Sequence, residues 1–345
     1  MTPLVSIIIP VYNVKDFLRE SIDSAIRQTY RNLEIIVVDD GATDGSGLIC
    51  DEYQSKDPRI HVIHQANQGL SGARNTGLDY MHGSIVAFLD SDDAFLPEMV
   101  ETMVKAMLET GADIAACGFY SCKTTGRMDA SQSHKTVRFK PCVISSQTAL
   151  RYLIDDRLSI NVWNKLYKKE VFETLRFPVR RNHEDLILTP YLTEKAKKVV
   201  LLEEPFVLYR TRAQSISTSV NEKNIGDWLY AARQWEAFAK KRTPLVFSHH
   251  DLSRIRETNL RWVLGKKLLM LSQKDRDLSE SLRAADDAIR HYSKHISKVS
   301  PKIKIYSALV QKMPKTTYRA IVSYHTVRKT RERVKAVLAG KRKAQ

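Results

Sequence analysis

Residues 84–95 read SIVAFLDSDDAF, an apolar segment that ends in three aspartates within four positions. The first six residues have the composition of a strand that is buried on both faces. Asp90, Asp92 and Asp93 follow directly, and carboxylates this close repel each other unless something compensates their charge. Ligands of parallel sheets bind beyond the carboxyl ends of the strands. The stretch therefore predicts a buried strand with an acidic site at its end.

Four more short apolar segments lie within the first 120 residues, namely LVSIIIP, LEIIVVDD, RIHVIHQ and ADIAACGFY. Between the first two, Phe17, Leu18 and Ile22 recur at helical spacing, and Asn13 is placed to cap that helix. Further helices fit residues 44–56, 70–80 and 96–109. Strands that alternate with helices at this rhythm predict an α/β fold with a mostly parallel sheet and helices on both faces.

The second part of the chain has a different pattern. Residues 124–141 are polar and basic, which predicts a loop, and they are followed by two helices at 146–155 and 169–175. Two strands fit residues 199–202 and 206–211. After about residue 224 apolar residues recur at helical spacing, and we expect a helical C-terminal region.

The charge is distributed unevenly along the 345 residues. Residues 1–222 hold 26 lysines and arginines against 29 acidic residues, whereas residues 223–345 hold 29 against 10. The basic excess therefore belongs to the C-terminal part, and its amphipathic stretches between 294 and 345 suit an anionic membrane surface. A plain solvated helical face is the alternative. A nucleic-acid partner is not expected, because no nucleic-acid motif accompanies the charge.

Composition narrows the class of protein further. No run of about 18 apolar residues exists, so no membrane-spanning segment is predicted. The opening residues MTPLVS lack the features of a signal peptide, and we expect a cytoplasmic protein, peripheral at the inner face of the cell membrane. The four cysteines form no CxxC pair, which predicts buried free thiols rather than a metal site.

The sequence lacks the usual glycine-rich loops that bind phosphate groups. No GxGxxG follows the first strand, which disfavours a dinucleotide-binding site, and no GxxxxGK[ST] P-loop motif occurs. An Asp-x-Asp turn can instead hold a hard cation, Mg²⁺ or Mn²⁺, that bridges to substrate phosphates. On spacing alone, a solvated turn with helix-capping aspartates remains an alternative.

Six blocks in order resemble one known family, and they cover residues 3 to about 218: VSIIIPVYN, LEIIVVDDGATDGS, NQGLSGARNTGLDY, IVAFLDSDDAF, NVWNKLYKKEVF and HEDLILTPYL. They are similar to the family 2 inverting glycosyltransferases of the GT-A fold, a Rossmann-like nucleotide-diphospho-sugar transferase fold. The resemblance implies a catalytic domain over 1–222. Within it, 1–120 is the nucleotide-sugar-binding half and 121–222 the acceptor-side half, and 223–345 is the helical basic region.

The resemblance also implies roles on the donor side. Pro10 and Tyr12 would flank the nucleotide base, and Asp40 would accept the imide N–H of uracil, which implies a UDP-sugar donor. Asp90 would contact the ribose or nucleotide. Asp39 would share the nucleotide site or, alternatively, form a hydrogen bond that shapes the loop.

Metal and diphosphate contacts follow from the same resemblance. Asp92 would bind Mn²⁺ or Mg²⁺, and Asp93 would assist it or cap the next helix. Arg74 would approach the diphosphate or pair with an acidic residue of a motif. The segment LYRTRAQSIST is similar to a loop that closes on the donor diphosphate, and it contributes Arg212.

On the acceptor side, the block HED implies the general base. Asp185 is the expected base, Glu184 is the fallback, and His183 would orient its neighbours. Trp163 and Lys165 match a block beside the acceptor pocket, although Trp163 also suits a core position.

The resemblance therefore implies transfer of one sugar, with inversion, to a glycan or lipid-linked acceptor in surface polysaccharide biosynthesis. The QxxRW block of processive synthases is absent, which disfavours repeated addition. A catalytically silent nucleotide-binding or scaffold protein at the membrane is the alternative. A nucleotidyltransferase is a further one, but it would ordinarily carry a glycine-rich loop after the first strand.

Overall fold

The computed structural model describes residues 2–124, 126–211, 221–272 and 279–295, and it confirms the expected α/β class. The strands are β1 Val5–Val11, β2 Leu33–Asp39, β3 Ile60–His64, β4 Ile85–Phe88, β5 Ala94–Phe95, β6 Ile114–Cys122, β7 His134–Thr136, β8 Cys142–Ser145, β9 Lys165–Lys168 and β10 Lys198–Arg210. The helices are α1 Lys15–Ile26, α2 Ser46–Gln54, α3 Gly69–Tyr80, α4 Met99–Thr110, α5 Ser146–Ile154, α6 Glu184–Lys195, α7 Glu222–Lys241, α8 His249–Ser272 and α9 Ser279–His295.

The strands of the described residues form one mixed sheet in the order β3-β2-β1-β4-β9-β6-β10-β5, with β7 beside β6 and β8 beside β10. Strands β3, β2, β1 and β4 pair in parallel, as do β6 and β10. Strand β9 is antiparallel to both β4 and β6, so it joins the two parallel groups. The parallel expectation therefore holds for the first half, and the second half adds antiparallel strands.

The core lies against the first half of the sheet. Every residue of β1 and of β2 is buried, which explains their continuous apolar composition. Helix α1 buries Leu18, Ile22 and Ala25 on one face, as its spacing predicted. Each fully buried valine, leucine or isoleucine stabilises the fold by about 1.5–3 kcal/mol relative to an exposed side chain. This core holds the strands in place and so positions the residues at their carboxyl ends.

Two compact units divide the chain. The first comprises residues 1–219 and 230–252, and the second comprises 220–229 and 253–345. In the described part of the second unit, the rings of Trp228 and Trp262 stack with centroids 3.5 Å apart. Lys267, 6% exposed in its side chain, pairs with Asp286. No described helix is both long and apolar enough for a membrane crossing.

Several local expectations differ from the structure. Asn13 does not cap α1; its side chain accepts the backbone N–H of Thr43 at 2.8 Å. The helix expected at 169–175 is a 3-10 turn over Lys169–Phe172, because only one turn of apolar residues packs there. The two late strands form the single strand β10, with its register shifted between Leu201 and Val207.

The cysteine expectation holds for three of the four residues. Cys50, Cys117 and Cys122 are buried free thiols, whereas Cys142 is exposed because its short strand β8 is exposed along most of its length. The basic stretch 296–345 lies outside the described residues.

Candidate active site

The predicted nucleotide-side residues lie along one edge of the sheet. Tyr12 follows β1, Asp40 follows β2 and Asp90 follows β4, and β1 pairs in parallel with both neighbours. The carboxyl ends of parallel strands share one edge, where ligands bind. Tyr12 is 50% exposed there, and Pro10, inside β1, is buried. The structure therefore brings these four residues into one region.

The carboxylate of Asp40 accepts hydrogen bonds at the start of α3. Its Oδ1 accepts the backbone N–H of Gln68 at 2.8 Å and the side-chain amide of Gln65 at 2.6 Å. Its Oδ2 accepts the backbone N–H of Gly69 at 2.8 Å. These backbone donors belong to the N–H groups that a helix start leaves unsatisfied. A carboxylate offers about four acceptor positions, so these contacts leave capacity for one ligand donor.

Asp39 is directed toward β3. Its Oδ1 accepts the backbone N–H of Ala42 at 2.9 Å, and its Oδ2 lies 2.8 Å from Nδ1 of His64. Gly47 approaches so closely that a Cβ there would lie 2.7 Å from Oδ2. These contacts shape the loop after β2, in line with the loop-shaping alternative for Asp39.

The three aspartates after β4 have three different environments. Asp90 accepts a hydrogen bond from Nη2 of Arg74 at 2.6 Å. Asp92 is half-buried, and its backbone carbonyl accepts from Nε of Arg210 at 2.9 Å. Asp93 is 1% exposed, and its Oδ1 accepts the backbone N–H of Arg210 at 2.8 Å. Asp92 is therefore the more accessible carboxylate of the last two.

Arg210, at the end of β10, holds this turn in place. Its guanidinium donates to Oε2 of Glu20 at 2.5 Å and to the carbonyls of Thr124 at 3.1 Å and Gly126 at 2.5 Å. It also lies 4.7 Å from the ring centroid of Phe17. Sequence reasoning did not select Arg210 as a site residue; its position in the same LYRTR segment as the expected Arg212 was the available signal. Arg212 itself lies outside the described residues.

Arg74 connects the two halves of the site. It is 2% exposed, and its Nη1 donates to Glu184 at 2.5 Å while its Nη2 donates to Asp90. Phe177 covers its planar face at 5.3 Å. Two roles were expected for Arg74, and the structure shows the pairing with acidic residues. Its partner Asp90 lies on the predicted donor side and its partner Glu184 on the predicted acceptor side.

Asp185 lies in the first turn of α6, beside that buried ion-pair network. Its Oδ1 accepts the backbone N–H of Leu186 at 2.8 Å, and the residue is half-buried. Burial, and then the negative charge of Glu184, raise the pKa of Asp185 to about 7. Arg74 opposes this by lowering it. A carboxylate with a pKa near neutrality suits a general base.

His183 is the residue directly before α6, in the left-handed conformation with φ of 60°. It is half-buried and adjoins Glu184 in the chain. The helix start therefore places His183, Glu184 and Asp185 together.

Lys165 and Trp163 are buried beneath the acceptor half. The ammonium of Lys165 donates to the carbonyls of Ser159 at 2.7 Å and Asn161, and to the side chain of Asn164 at 3.0 Å. Burial lowers the pKa of Lys165 to about 7, although three oxygen acceptors favour the ammonium. Lys165 therefore organises a loop and does not face solvent.

Trp163 is 5% exposed and stacks on Tyr209, with ring centroids 5.0 Å apart and planes 6° apart. Phe119 packs edge-on against the same indole at 5.0 Å. The structure thus places Trp163 in the core, which is the alternative position that the sequence analysis gave for this tryptophan.

The acidic turn after β4 has the residue types that a divalent cation prefers. No group of three or more histidine, cysteine or acidic side chains that could hold a metal ion occurs in the part of the chain that the structure describes. Mg²⁺ and similar ions in phosphate sites take only one or two carboxylates, together with waters and phosphates. Oδ2 of Asp93 is buried and has no hydrogen-bond partner among the described atoms. Burial, then the charges of Asp92 and Asp90, raise the Asp93 pKa well above its usual range, which favours the neutral, protonated form of this carboxyl group.

The mixed α/β sheet with helices packed against it is the GT-A class of nucleotide-diphospho-sugar transferase folds, as its likeness to solved structures shows. The family described as Glycosyl transferase family 2 matches residues 6–176. Glycosyltransferase GlyG of Streptococcus pneumoniae serotype 4 is 32% identical over 75% of this chain and 87% of its own. The chain belongs to glycosyl transferase family 2.

Further similarities agree with this membership. Glycosyltransferase GlyA of the same organism is 39% identical over 66% of this chain, and the match spans only 33% of GlyA. The crystal structure of S. aureus TarS 1–349 in complex with UDP superposes with a TM-score of 0.65 at 18% identity, covering 93% of this chain and 91% of that one. The TarS likeness supports the fold.

Proposed function

We propose that this protein transfers a single sugar from a UDP-sugar to a glycan or lipid-linked acceptor, with inversion and with a divalent metal, in surface polysaccharide biosynthesis. The observation that carries the proposal is the buried Arg74, which pairs with Asp90 at 2.6 Å and with Glu184 at 2.5 Å. This pairing brings the acidic turn after β4 beside the start of α6, where Asp185 has its raised pKa.

On the donor side, the nucleotide would lie along the edge of the sheet. Tyr12 and Pro10 would flank the base, and the remaining acceptor position of Asp40 would receive the imide N–H of uracil. Asp90, already oriented by Arg74, would contact the ribose. S. aureus TarS, which shares the fold, has crystal structures in complex with UDP and with UDP-GlcNAc, and this supports a uridine donor.

Asp92 would hold Mn²⁺ or Mg²⁺, with the diphosphate completing the ligand set. Bound there, the cation supplies charge neutralisation for the leaving diphosphate. We assign Asp93 a supporting role, because one of its oxygens already accepts the Arg210 backbone N–H and its side chain is buried. Arg210 keeps the turn in the geometry that this binding needs.

On the acceptor side, Asp185 is the proposed base. The acceptor oxygen forms a bond to the anomeric carbon as the bond from that carbon to the diphosphate oxygen breaks. The proton of the attacking hydroxyl passes to the carboxylate of Asp185. Attack opposite the leaving group inverts the anomeric configuration. Glu184 is less suited to this step, because its carboxylate is paired with Arg74.

The test is a screen of UDP-sugars with Mn²⁺ and Mg²⁺ that follows UDP release, combined with two matched variants. Asp185→Asn should retain UDP binding and lose transfer by about 10²–10⁴-fold, the usual contribution of acid–base catalysis. Asp79→Asn, a carboxylate with a 59% exposed side chain, should match the wild type. Undiminished turnover in Asp185→Asn would refute the assignment of the base.

We also propose that the basic C-terminal stretch binds an anionic membrane surface, on the ground of its charge asymmetry alone. Each cation near such a surface contributes about 1 kcal/mol. The full chain should sediment with vesicles of phosphatidylglycerol and not with those of phosphatidylcholine. Glutamine at Arg328, Lys329, Arg331 and Arg333 should weaken this binding. Equal sedimentation with both lipids would contradict the proposal.

A further inference from the structure

His64, the last residue of β3, lies between two carboxylates that come from different elements. Its Nδ1 is 2.8 Å from Oδ2 of Asp39, at the end of β2, and its Nε2 is 2.9 Å from Oδ1 of Asp51, in α2. Asp39 and His64 are register partners in the parallel pair of β2 and β3. Their side chains therefore leave the sheet on the same face, where α2 adds the second carboxylate. Neither the proposed base nor the proposed metal ligands include this histidine.

The two contacts of the ring need its charged form. A neutral imidazole has one N–H and one lone pair, so it donates to only one of two carboxylates. The imidazolium donates from both nitrogens and satisfies both partners at the observed distances. The hydrogen bonds to Asp39 and then to Asp51 raise the pKa of His64 above its ordinary value. The geometry and the charge of the ring therefore agree.

The other titratable groups near the ring do not supply a competing positive charge. Burial, then the charges of Asp39 and Asp51, raise the pKa of the Cys50 thiol in α2 to about 12, so this thiol stays neutral. Asp44, just before α2, accepts the backbone N–H of the first residue of that helix. In the part of the chain that the structure describes, no basic side chain other than His64 pairs with Asp39 or Asp51.

Asp39 connects His64 to the nucleotide side of the site. Its Oδ1 accepts the backbone N–H of Ala42 at 2.9 Å and so closes the turn that contains Asp40. Within this turn Gly41 has a φ of 73°, and a Cβ there would lie 3.2 Å from the backbone nitrogen of Asn67. The side-chain amide of Asn67 donates to the carbonyl of Asp40 at 3.0 Å. The direction of the Asp40 carboxylate therefore depends on the turn that Asp39 closes.

The charge of His64 also compensates the charge of Asp39. Asp39 and Asp40 are adjacent in the chain and only 6% and 2% exposed, so their carboxylates repel each other in a poorly solvated region. Asp40 is compensated by the backbone N–H groups at the start of α3. A neutral ring would leave the Asp39 carboxylate buried beside Asp40 without a counter-charge.

We propose that His64 is a positioning residue for the donor nucleotide: its imidazolium holds Asp39, and the turn after β2 then keeps Asp40 in the direction that receives the uracil imide. This inference rests on the proposed function, in which Asp40 binds uracil, and it adds a residue that acts without touching the nucleotide. UDP affinity is then highest while His64 is protonated. This contribution is complete below about pH 6.5, the ordinary pKa of histidine. It is lost as the pH rises through the raised pKa of His64.

The test measures UDP affinity by calorimetry between about pH 6 and 9, across the titration of a histidine with a raised pKa. Two neutral variants divide the contacts of the ring. The amide of His64→Asn takes the place of Nδ1 and keeps the contact with Asp39, whereas the longer His64→Gln places its amide near Nε2 and keeps the contact with Asp51. His61→Asn is the matched control, because His61 is exposed on the same strand and, three residues away, points to the opposite face. The ratio of wild-type to variant affinity cancels the ionisation of UDP itself.

At about pH 6, His64→Gln should bind UDP about tenfold more weakly than the wild type, which corresponds to a pKa difference of about one unit between the free and the UDP-bound protein. At about pH 9 the two affinities should agree within about twofold, because the wild-type ring is then neutral as well. His64→Asn should lie between them, and His61→Asn should follow the wild type throughout. Asp51→Asn removes one of the two carboxylates that favour the imidazolium, so the decrease in UDP affinity should begin at a lower pH.

A ratio of wild-type to His64→Gln affinity that stays constant from about pH 6 to 9 would overturn the inference, because a purely structural histidine gives such a ratio. Wild-type affinity in both His64 variants would overturn it as well. Thermal unfolding reports whether each variant folds, and if neither does, an unshifted pH dependence in Asp51→Asn refutes the role of the ring's charge. UDP binding without this pH dependence leaves the proposed function intact. Absence of UDP binding by the wild type at every pH overturns the uridine donor, and the inference with it.

Discussion

The replacement Arg74→Met tests whether the buried arginine holds the two halves of the site together. Arg74 is 2% exposed in its side chain, and its partners Asp90 and Glu184 are 24% and 7% exposed. Methionine retains apolar packing against the aromatic rings around the guanidinium and removes the charge together with the hydrogen bonds to Asp90 and Glu184. Two carboxylates then face each other without a counter-charge.

The expected magnitude follows from this burial. Removing one partner of a buried ion pair costs about 3–5 kcal/mol, because the other charge is left buried and uncompensated. Asp90 is partly solvated, so we expect the loss for the whole network to stay within that range. For a unit of this size each kcal/mol lowers Tm by about 2–4 °C, and the melting temperature should fall by roughly 10 °C.

The assay is thermal and urea unfolding without metal, with two comparison variants. Arg19→Met breaks an ion pair whose arginine is 51% exposed, so it should cost less than about 1 kcal/mol. Adding Glu184→Gln to Arg74→Met should recover part of the stability, because one uncompensated charge is gone. If Arg74→Met lowers Tm no more than Arg19→Met does, the reasoning about the buried network is refuted.

Three further predictions concern the site and its support. The pKa of Asp185 is about 7 and a base acts only when deprotonated, so kcat/KM should decrease below pH 7, with a limiting slope of about tenfold per pH unit. A kcat/KM that stays constant between about pH 5.5 and 8 would contradict the assignment of Asp185 as the base. Arg210→Met should weaken binding of UDP with Mn²⁺ at least about tenfold in calorimetry, since the acidic turn loses its anchor, and wild-type affinity would argue against that role. A Cβ at Gly77 would lie 2.4 Å from Cγ2 of Ile8, so Gly77→Ala should cost about 1–3 kcal/mol in urea unfolding; an unchanged midpoint would exclude the clash.

Much of the fold could be predicted because its signals are local. A strand buried on both faces must be apolar throughout, as β1 and β2 are, and a helix packed on such a sheet must repeat its apolar residues with the helical period. The prediction that Asn13 caps α1 was wrong. Its type suits a helix cap, but Thr43, distant in sequence, offers a backbone donor that the side chain binds instead.

The candidate site could be predicted only in part. The acidic turns at Asp40 and Asp90 follow strands, and strand ends are visible in the sequence. The roles of Trp163 and Lys165 depend on burial by segments elsewhere in the chain, so residue type alone left both a functional and a structural interpretation for Trp163. The sequence placed Arg210 in the same LYRTR segment as Arg212 but could not show its role, because its partners lie 84 to 190 residues away.

Residues that are neighbours along the chain are enough to predict the alternating strands and helices, the acidic residues at the strand ends and the family of this protein. The pairing of Arg74 with Glu184, 110 residues away, depends on the fold and could not be predicted from neighbouring residues. The raised pKa of Asp185 likewise depends on burial and on the charge of Glu184 in the folded chain. Burial and charge proximity act through space, and the folded sheet alone brings those groups together.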